Sequence, residues 1–339
     1  MSRESDRQQT IVADIGGTKT TVAWIDSDGD VAASATYPSR AFSGLDPILR
    51  QFFSEFTGCP NVAVFAVAGP VTGRHARVTN LPWTVSADSI RDAFDIPRVL
   101  LLNDVEALAW AIPRLSALDL HTLQEGAPIR SGPSAILAPG TGLGQAFLVP
   151  IDEDLHVFAS EGGHVDFAPT DKRQRSLLDY LSREYVHVSF ERIASGSGLP
   201  DIHRFLREDQ GICEEASIDR RLSTADDQTP IIIEAALEGT SELCIRTIDL
   251  FVSVLGAEAG NLALKVLATG GIYLGGGLPP RILPFLESAA FLEAFRRKGR
   301  LASLMTSIPI HVILQTQAAL LGAARYALID QRDKIRRES

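Results

Sequence analysis

The chain has 339 residues, of which 45% are apolar and 22% charged, a composition close to that of ordinary globular proteins and a length sufficient for about two domains. This composition excludes a disordered chain, a collagen and a small disulfide scaffold. The formal net charge of −10 disfavours general nucleic-acid binding and gives no net attraction to anionic membranes.

The cysteines and the first residues indicate the compartment. Cys59, Cys213 and Cys244 are odd in number, widely spaced and outside any CxxC or Cys/His cluster. They therefore predict reduced thiols rather than a disulfide framework or a zinc site. The first ten residues are polar, and no segment approaches ~20 uninterrupted apolar residues. We expect a cytoplasmic protein without a membrane span.

Strands and helices alternate along the first part of the chain, which predicts an α/β layer with some parallel pairing. Apolar runs between turn residues predict strands at 11–15, 20–25, 31–37, 62–67 and 99–102. Helical spacing of apolar residues predicts helices at 45–56, 86–94 and 105–111.

The second part repeats the opening pattern of two apolar strands around a glycine turn, which suggests two related halves. The predicted strands lie at 135–138, 145–149 and 266–277, and the predicted helices at 175–185, 190–193, 231–264 and 317–329. The glycines at 239, 256 and 260 either break the third of these helices or allow close helix packing. The polar segment 208–229 is expected to be a variable surface insertion.

Three glycine-rich turns each adjoin an apolar strand. In 14–18 (Asp-Ile-Gly-Gly-Thr), glycine lets the backbone approach an anion, and the exposed N–H groups can form an anion-binding nest. The Asp14 carboxylate would repel a bound phosphate unless a cation lay between the two. We therefore expect Asp14 to face a Mg²⁺ ion and to contact it through water. Residues 139–144 form a second such turn, and glycines in 268–277 would let a base or ribose lie on the backbone. An ordinary tight hairpin remains the alternative for the first turn, which is neither a Walker A nor a GxGxxG motif.

Polar side chains follow these apolar strands. Asn103 and Asp104 come at the end of a strand, where a carboxylate can accept a proton from a substrate hydroxyl. The alternative for both is an Asx turn or a helix N-cap. Glu161 and His164 flank two small residues that let both side chains converge on one polar molecule; a structural histidine is the alternative. Glu191 begins a predicted short helix and, taken alone, is an ordinary solvated residue.

Six motifs occur in one order along the chain: Asp14-Ile-Gly-Gly-Thr18, Leu101-Leu-Asn-Asp104, Gly140-Thr-Gly-Leu-Gly144, Glu161-Gly-Gly-His-Val-Asp-Phe167, Glu191-Arg-Ile-Ala-Ser-Gly196 and Gly270-Gly-Ile-Tyr-Leu-Gly-Gly-Gly277. Together they resemble the bacterial glucokinase family of the actin/hexokinase/Hsp70 superfamily, over residues 11–326. The cysteine-rich zinc motif of the related ROK sugar kinases is absent, which favours the plain glucokinase group, although Lys19 stands where relatives often carry asparagine.

The resemblance implies two ribonuclease-H-like α/β lobes of the actin-like ATPase type with a cleft between them. The small lobe would comprise 1–107 and 317–339, and the large lobe 108–316. The first two glycine turns would bind the phosphates of ATP, and the third its adenosine. The implied cofactor-binding residues are Ala13, Asp14, Ile15, Gly16, Gly17, Thr18, Gly140, Thr141, Gly142, Gly276 and Gly277.

The resemblance further implies phosphorylation of D-glucose on its 6-hydroxyl, with ATP and Mg²⁺. Asp104 matches the catalytic base, and Mg²⁺ is held by the ATP phosphates, with water bridging to Asp14, rather than by a direct protein ligand. The implied sugar-binding residues are Asn80, Asn103, Asp104, Glu161, His164 and Glu191. A homodimer is expected. Alternatives are a kinase for mannose, glucosamine or an N-acetylated amino sugar, and a non-enzymatic sugar-sensing regulator.

Overall fold

The apolar runs of the sequence form strands, and the described residues hold six further strands that the sequence did not predict. The computed structural model describes residues 10–56, 58–152 and 154–338, with side chains as far as residue 330. The strands are β1 Thr10–Ile15, β2 Lys19–Ile25, β3 Val31–Pro38, β4 Val62–Val67, β5 Val71–Thr72, β6 His75–Arg77, β7 Thr84–Ser86, β8 Arg98–Asn103, β9 Leu120–Gln124, β10 Ser134–Pro139, β11 Leu143–Ile151, β12 Asp154–Ser160, β13 Gly271–Leu274 and β14 Ile310–Ile313.

Helices and strands both run through the whole chain, so the predicted α/β class is confirmed. They are α1 Leu45–Glu55, α2 Ala87–Phe94, α3 Asp104–Ala111, α4 Lys172–Leu181, α5 Leu199–Glu208, α6 Ala216–Thr224, α7 Thr229–Leu237, α8 Glu242–Val266, α9 Leu283–Leu286, α10 Ala289–Arg296, α11 Ala302–Ser307 and α12 Ala318–Glu338. The chain divides into two compact units, one formed by residues up to 116 with those from 315 onward, and one by residues 117–314.

The first unit is built on a sheet of strand order β3-β2-β1-β4-β8. Strand β1 pairs antiparallel with β2 and parallel with β4, and β4 pairs parallel with β8. All six residues of β4 are buried, as expected for a central parallel strand covered on both faces. Because β1, β4 and β8 end at the same edge, the residues that follow them lie close together.

Helix α12 completes the first unit by packing against α3, β1 and β4. A Cβ on Gly322 would overlap the carbonyl oxygen of Ala107, so this glycine lets α12 and α3 meet backbone to backbone. The helix predicted at 317–329 is confirmed, and it continues through the charged residues to Glu338. The lobe boundary expected at residue 107 falls inside α3, which lies whole in the first unit.

The second unit repeats the strand arrangement of the first. Its sheet has the order β12-β11-β10-β13-β14-β9, in which β12, β11 and β10 are antiparallel neighbours and β13 and β14 run parallel to β10. The hairpins β1–β2 and β10–β11 therefore hold equivalent places, each beside the first parallel strand of its sheet. This shared order supports the hypothesis of two related halves.

Two sequence predictions in the second unit are wrong. Residues 190–193 form turns rather than a helix, with the N–H of Ala194 donating to the carbonyl of Phe190 at 2.7 Å. The apolar Phe190 and Ile193 are both buried, and a turn buries this pair as well as a helix does. The strand predicted at 266–277 is only Gly271–Leu274, because α8 extends to Val266 and ends at Leu267, which has a left-handed φ of 50°.

The polar segment 208–229 is anchored rather than simply laid on the surface. It contains α6, whose Ile218 and Leu222 are buried. The side chain of Glu214 is only 2% exposed and lies 2.7 Å from His203 Nε2, and it accepts a hydrogen bond from the hydroxyl of Ser241 at 2.6 Å. Burial alone would raise the pKa of Glu214, but these hydrogen bonds lower it overall. A carboxylate so held ties the segment to α5 and α8.

No helix within the described ranges is long and apolar enough to cross a membrane. Of the described cysteines, Cys244 is buried while Cys59 and Cys213 are exposed, and no disulfide joins any two of them.

The long helical region expected at 231–264 shows both effects of glycine. Gly239, with a φ of 69°, separates α7 from α8. Gly256 and Gly260 lie inside α8, where a Cβ on Gly256 would overlap the carbonyl oxygen of Phe291 in α10. The first glycine therefore breaks the helix, and the other two allow α8 and α10 to pack closely.

We predict that Gly256→Ala destabilises the protein. Helix propensity alone favours alanine by about 1 kcal/mol, but the added methyl group would push α8 away from α10, at a cost of roughly 1–3 kcal/mol for overpacking. We expect a lower midpoint of thermal unfolding in calorimetry. A higher midpoint, which propensity alone would give, would contradict the packing argument.

Candidate active site

The turn between β1 and β2 is held from outside by one buried serine. The N–H of Ser39 donates to the carbonyl of Thr18 at 2.9 Å, and its hydroxyl donates to the carbonyl of Gly16 at 2.7 Å. Gly16 uses its own N–H to close the turn on the carbonyl of Lys19, at 3.0 Å. Sequence reasoning missed Ser39, because nothing in Pro-Ser-Arg marks a residue that supports a distant turn.

Two carboxylates lie at the edge of the first sheet, at the carboxyl ends of β1 and β8. Asp14 is half-buried, and burial raises its pKa although the charge of Lys19 lowers it again in part. Asp104 begins α3, and burial followed by repulsion from Asp14 raises its pKa to about 6. Parallel pairing thus brings together the residue expected to face Mg²⁺ and the residue expected to accept a proton.

Asn103 serves as a helix cap. Its side-chain oxygen accepts hydrogen bonds from the backbone N–H groups of Val105 at 2.9 Å and Glu106 at 3.3 Å. Its side-chain nitrogen donates to the carbonyl of Gly69 at 3.2 Å, which ties β8 to the loop after β4. The N-cap alternative is therefore correct for the oxygen. A side-chain amide carries two donors, and the Asn103 amide also hydrogen-bonds the Asp104 carboxylate, which lowers the pKa of Asp104 in part.

Asn80 lies in an exposed loop that packs against the first glycine turn. Its φ of 64° is left-handed, a conformation that asparagine tolerates better than most residues. A Cβ on Gly17 would lie 3.2 Å from the carbonyl oxygen of Thr79 and 3.6 Å from the Cβ of Asn80. The loop borders a cavity of about 530 Å³, lined by Pro70, Arg77, Val78, Thr79, Asn80, Leu81 and Pro82. The structure thus places Asn80 beside the first turn.

The turn between β10 and β11 is held by a second segment of its own unit. Gly140 closes the turn with its N–H on the carbonyl of Gly142, at 2.8 Å. The N–H of Gly196 donates to the carbonyl of Gly140 at 2.8 Å, and the hydroxyl of Ser197 donates to the carbonyl of Thr141 at 3.0 Å. Residues 196–197 therefore hold this turn by donating hydrogen bonds to its carbonyls, as Ser39 holds the first turn.

Glu161 and His164 come together in the second unit, as their spacing predicted, and Glu191, which the family resemblance assigns to the sugar, lies beside them. The His164 ring lies between two carboxylates, with Nε2 3.9 Å from Glu161 Oε2 and Nδ1 3.7 Å from Glu191 Oε1. Their side chains are 60%, 79% and 29% exposed for His164, Glu161 and Glu191, so that polar groups of a ligand can reach them.

The glycines between Glu161 and His164 serve close packing rather than flexibility. A Cβ on Gly163 would overlap the carbonyl oxygen of Leu143, and the carbonyl of Gly163 accepts the N–H of Glu191 at 2.9 Å. The backbone of this segment is therefore wedged between the start of β11 and Glu191. The three side chains owe their arrangement to this contact.

The third glycine motif adjoins the second turn. Gly276 has a left-handed φ of 82°, and a Cβ there would lie 2.7 Å from the carbonyl oxygen of Pro139, the last residue of β10. Gly277 is exposed, with no atom within 4 Å of a Cβ added to it. The predicted adenosine and phosphate motifs of this unit are thus neighbours.

Comparisons with known proteins agree with these features. A model of the glucokinase family matches residues 11–329. A glucokinase of Nostoc punctiforme is 39% identical over 331 residues, covering 93% of this chain and 97% of the relative.

Solved structures share the fold. The glucokinase from an Antarctic psychrotroph has a TM-score of 0.81 at 31% identity and covers 94% of this chain and 98% of its own. A ROK family glucokinase from Streptomyces griseus, in complex with glucose and AMPPNP, has a TM-score of 0.63 at 21% identity. The match covers 93% of this chain and 98% of that structure. These likenesses confirm the predicted α/β fold of the actin-like ATPase type. The family match and the identity to the Nostoc enzyme show that the chain belongs to the glucokinase family.

Proposed function

We propose that the chain transfers the γ-phosphoryl group of ATP to the 6-hydroxyl of D-glucose, with Asp104 as the general base. Membership of the glucokinase family makes the chain a glucose-phosphorylating enzyme. The finer assignment rests mainly on the half-buried Asp104 carboxylate, whose pKa is raised to about 6 by burial and by Asp14. A base is most effective when its pKa lies near the working pH.

The proposed step moves one proton and one phosphoryl group. The 6-oxygen of glucose attacks the γ-phosphorus while its proton passes to the Asp104 carboxylate. The bond from phosphorus to the β–γ bridging oxygen breaks, and ADP leaves. Positioning and charge stabilisation supply most of the catalysis in such reactions. Asp104 is itself fixed at the start of α3, where its carboxylate accepts the N–H of Val105 at 3.0 Å.

For the sugar, we propose that carboxylate, imidazole and amide side chains bind the hydroxyl groups. Glu161 and Glu191 accept hydrogen bonds from hydroxyls, and His164 between them donates or accepts. Asn103 is assigned to the sugar on the family resemblance, and its amide lies between the carbonyl of Gly69 and the Asp104 carboxylate. Asn80 is assigned to the sugar on the family resemblance and on its place beside the first turn.

For the nucleotide, we assign phosphate binding to the backbone N–H groups of Gly17, Thr18, Thr141 and Gly142. Gly16 and Gly140 use theirs to close the turns and shape the site instead. The strand residues Ala13 and Ile15 support the first turn, and Gly276 and Gly277 bind adenosine. The AMPPNP in the Streptomyces griseus relative supports ATP as the donor.

The residues of the first unit fit a hard divalent cation. Asp14 and Asp104 are two half-buried carboxylates, and the charge of the first raises the pKa of the second, so a nearby Mg²⁺ would relieve their repulsion. Carboxylate oxygens, through water or directly, are the ligands that Mg²⁺ prefers. When bound with ATP, Mg²⁺ would neutralise charge on the phosphates. Asp14 would hold it through water.

We also propose that the two lobes expected from the sequence are the two compact units, with the first boundary at residue 116 rather than 107, and that the protein is a cytoplasmic homodimer. The division of the described residues into two compact units supports the lobes. The family resemblance alone supports the dimer, and the described cysteines, no two of which form a disulfide, support the compartment.

The test is an assay of the purified full chain with MgATP and a panel of glucose, mannose, glucosamine and N-acetylglucosamine. We expect the highest kcat/KM with glucose, measured by coupled ADP release, and glucose 6-phosphate as product by NMR. No turnover of any sugar would refute the proposal. Faster turnover of another hexose would show that this hexose, and not glucose, is the acceptor, and would leave the assignment of Asp104 as the base unchanged.

We predict that Asp104→Asn lowers kcat by about 10²–10⁴-fold, the usual contribution of a general base. In the unaltered chain, kcat/KM should fall as the pH drops through about 6, because a protonated Asp104 accepts no proton. The matched control is Glu106→Gln, which removes the next carboxylate of α3 and should keep near-normal kcat. Near-normal kcat in Asp104→Asn would exclude this residue as the base.

Asp104→Asn should be more stable than the unaltered chain at neutral pH. The folded-state pKa of Asp104, about 6, exceeds its ordinary value of 3.8, so the folded state binds the proton more tightly than the unfolded state. Stability is therefore lost as the pH rises through about 6, and asparagine has no charge to bury. Thermal unfolding at neutral pH should show a higher midpoint for Asp104→Asn, with the gain vanishing in acid. An equal or lower midpoint at neutral pH would contradict the raised pKa.

We predict that Gly163→Ala weakens glucose binding and destabilises the protein by about 2 kcal/mol or more, as overpacking against a backbone does. Its methyl group would collide with the Leu143 carbonyl oxygen and displace His164. Gly44→Ala is the matched control, since a methyl group there meets no atom within 4 Å and the backbone of Gly44 is extended. Calorimetry should rank Gly163→Ala well below Gly44→Ala in both glucose affinity and unfolding midpoint. Equal effects would show that backbone packing at Gly163 does not position the site.

A further inference from the structure

One segment of the second unit touches both the sugar-binding cluster and the second glycine turn. We call residues 191–197 the brace segment. At its start, the Glu191 carboxylate accepts the N–H of Leu143 through Oε2 at 2.9 Å, while Oε1 lies 3.7 Å from His164 Nδ1. At its end, Gly196 and Ser197 bind the carbonyls of Gly140 and Thr141. A single run of chain therefore holds the proposed phosphate turn at three points.

The brace segment has little freedom to move on its own. Ile193, Ala194 and Ser195 within it are fully buried. The carbonyl of Gly196 accepts the buried hydroxyl of Thr229, at the start of α7, at 2.8 Å. A displacement at one end of so short and tightly packed a segment is transmitted to the other, because packed interiors do not absorb it.

The contact between Glu191 and the turn is also tight. A Cβ on Gly142 would lie 2.5 Å from Glu191 Oε2, and a Cβ on Gly196 would lie 2.9 Å from the carbonyl oxygen of Gly140. The rotamer of Glu191 and the conformation of the turn are therefore mutually dependent. Glu191 Oε2 contacts the turn, and Glu191 Oε1 faces His164.

We infer that the brace segment makes sugar binding and nucleotide binding cooperative, with Glu191 and Ser197 as the residues that couple them. The inference rests on the proposed function, since it takes the ligand of the cluster to be glucose and the ligand of the turn to be an ATP phosphate. A sugar hydroxyl bound to Glu191 Oε1 shifts the carboxylate whose Oε2 holds Leu143, and the tightly packed segment passes this shift to the turn. A shift toward the turn conformation that the phosphate requires makes the two ligands bind cooperatively.

Ser197 is a positioning residue that sequence motifs did not single out. Its side chain is exposed, and the serine hydroxyl acts on the turn through the carbonyl of Thr141. Replacing Ser197 by alanine removes this hydrogen bond and the one that joins its hydroxyl to that of the buried Ser195, at 2.9 Å. The variant removes no charge and no proposed ligand of the sugar, so it probes the hold of the brace segment on the turn.

The experiment is a calorimetric titration of the full chain with glucose, without and with saturating Mg-AMPPNP, and the reciprocal titration. Coupling between sites is commonly 5- to 150-fold in affinity and must be equal in both directions. We expect at least about a fivefold tightening in the unaltered chain. In Ser197→Ala, this ratio should fall toward one, while the Kd for glucose alone stays the same.

The matched control is Ser182→Ala, which removes another exposed hydroxyl that donates to a backbone carbonyl, that of Leu178 at 2.7 Å in α4. This variant should keep the full coupling ratio. If Ser197 merely stabilised the fold, its loss would lower the unfolding midpoint and leave the ratio unchanged.

The outcomes separate the two proposals. Binding of both ligands with a ratio of one, or a ratio that Ser197→Ala leaves intact, would overturn the coupling and leave the proposed function standing. If the unaltered chain bound no glucose at all, the proposed function would fail and the coupling with it. A ratio lost in Ser197→Ala and kept in Ser182→Ala would establish the brace segment as the coupling element.

Discussion

Parallel pairing of β1, β4 and β8 is the constraint on which the first unit depends. It puts three strand ends at one edge, and with them Asp14, the loop after β4 and the start of α3. The cap that begins α3 is Asn103, and its amide also holds Gly69, so one side chain fixes both the helix and the neighbouring loop. The two carboxylates are then close enough for one to raise the pKa of the other. The same placement that destabilises the fold at neutral pH creates a base suited to proton transfer.

The glycine turns of the two units show a common solution to a local problem. A turn short of side chains has little to hold it in one conformation, because glycine has the greatest freedom of any residue. In each unit, a separate segment supplies the missing restraint by donating to the carbonyls of the turn: Ser39 in the first unit, Gly196 with Ser197 in the second. The turn keeps the open backbone that a phosphate requires, and its conformation is set from outside.

Much of the fold could be predicted from the sequence where a single local signal decides the outcome. The apolar run 62–67 between turn residues is β4 at those bounds, and the helix predicted at 86–94 is α2, with Ser86 as its N-cap. The helix predicted at 190–193 is wrong because four residues with two buried side chains fit a turn as well as a helix. Ser39 and Ser197 were missed for another reason: their role lies in contacts with residues 23 and 56 positions away, which no local pattern encodes. The motifs named the candidate ligands, and the tertiary contacts decide how they are held.

Helix α12 has a consequence for how the protein is made. It covers α3, β1 and β4, and Gly322 seats it directly on the backbone of Ala107, yet more than half of the chain separates it from the strands it covers. During translation, the strands of the first unit leave the ribosome early. The surface that α12 covers stays exposed until residues 318–338 emerge. The second unit is continuous in sequence and meets no such delay. The unit that is started first is therefore finished last, and its exposed apolar face is the part of the nascent chain that a chaperone would have to cover.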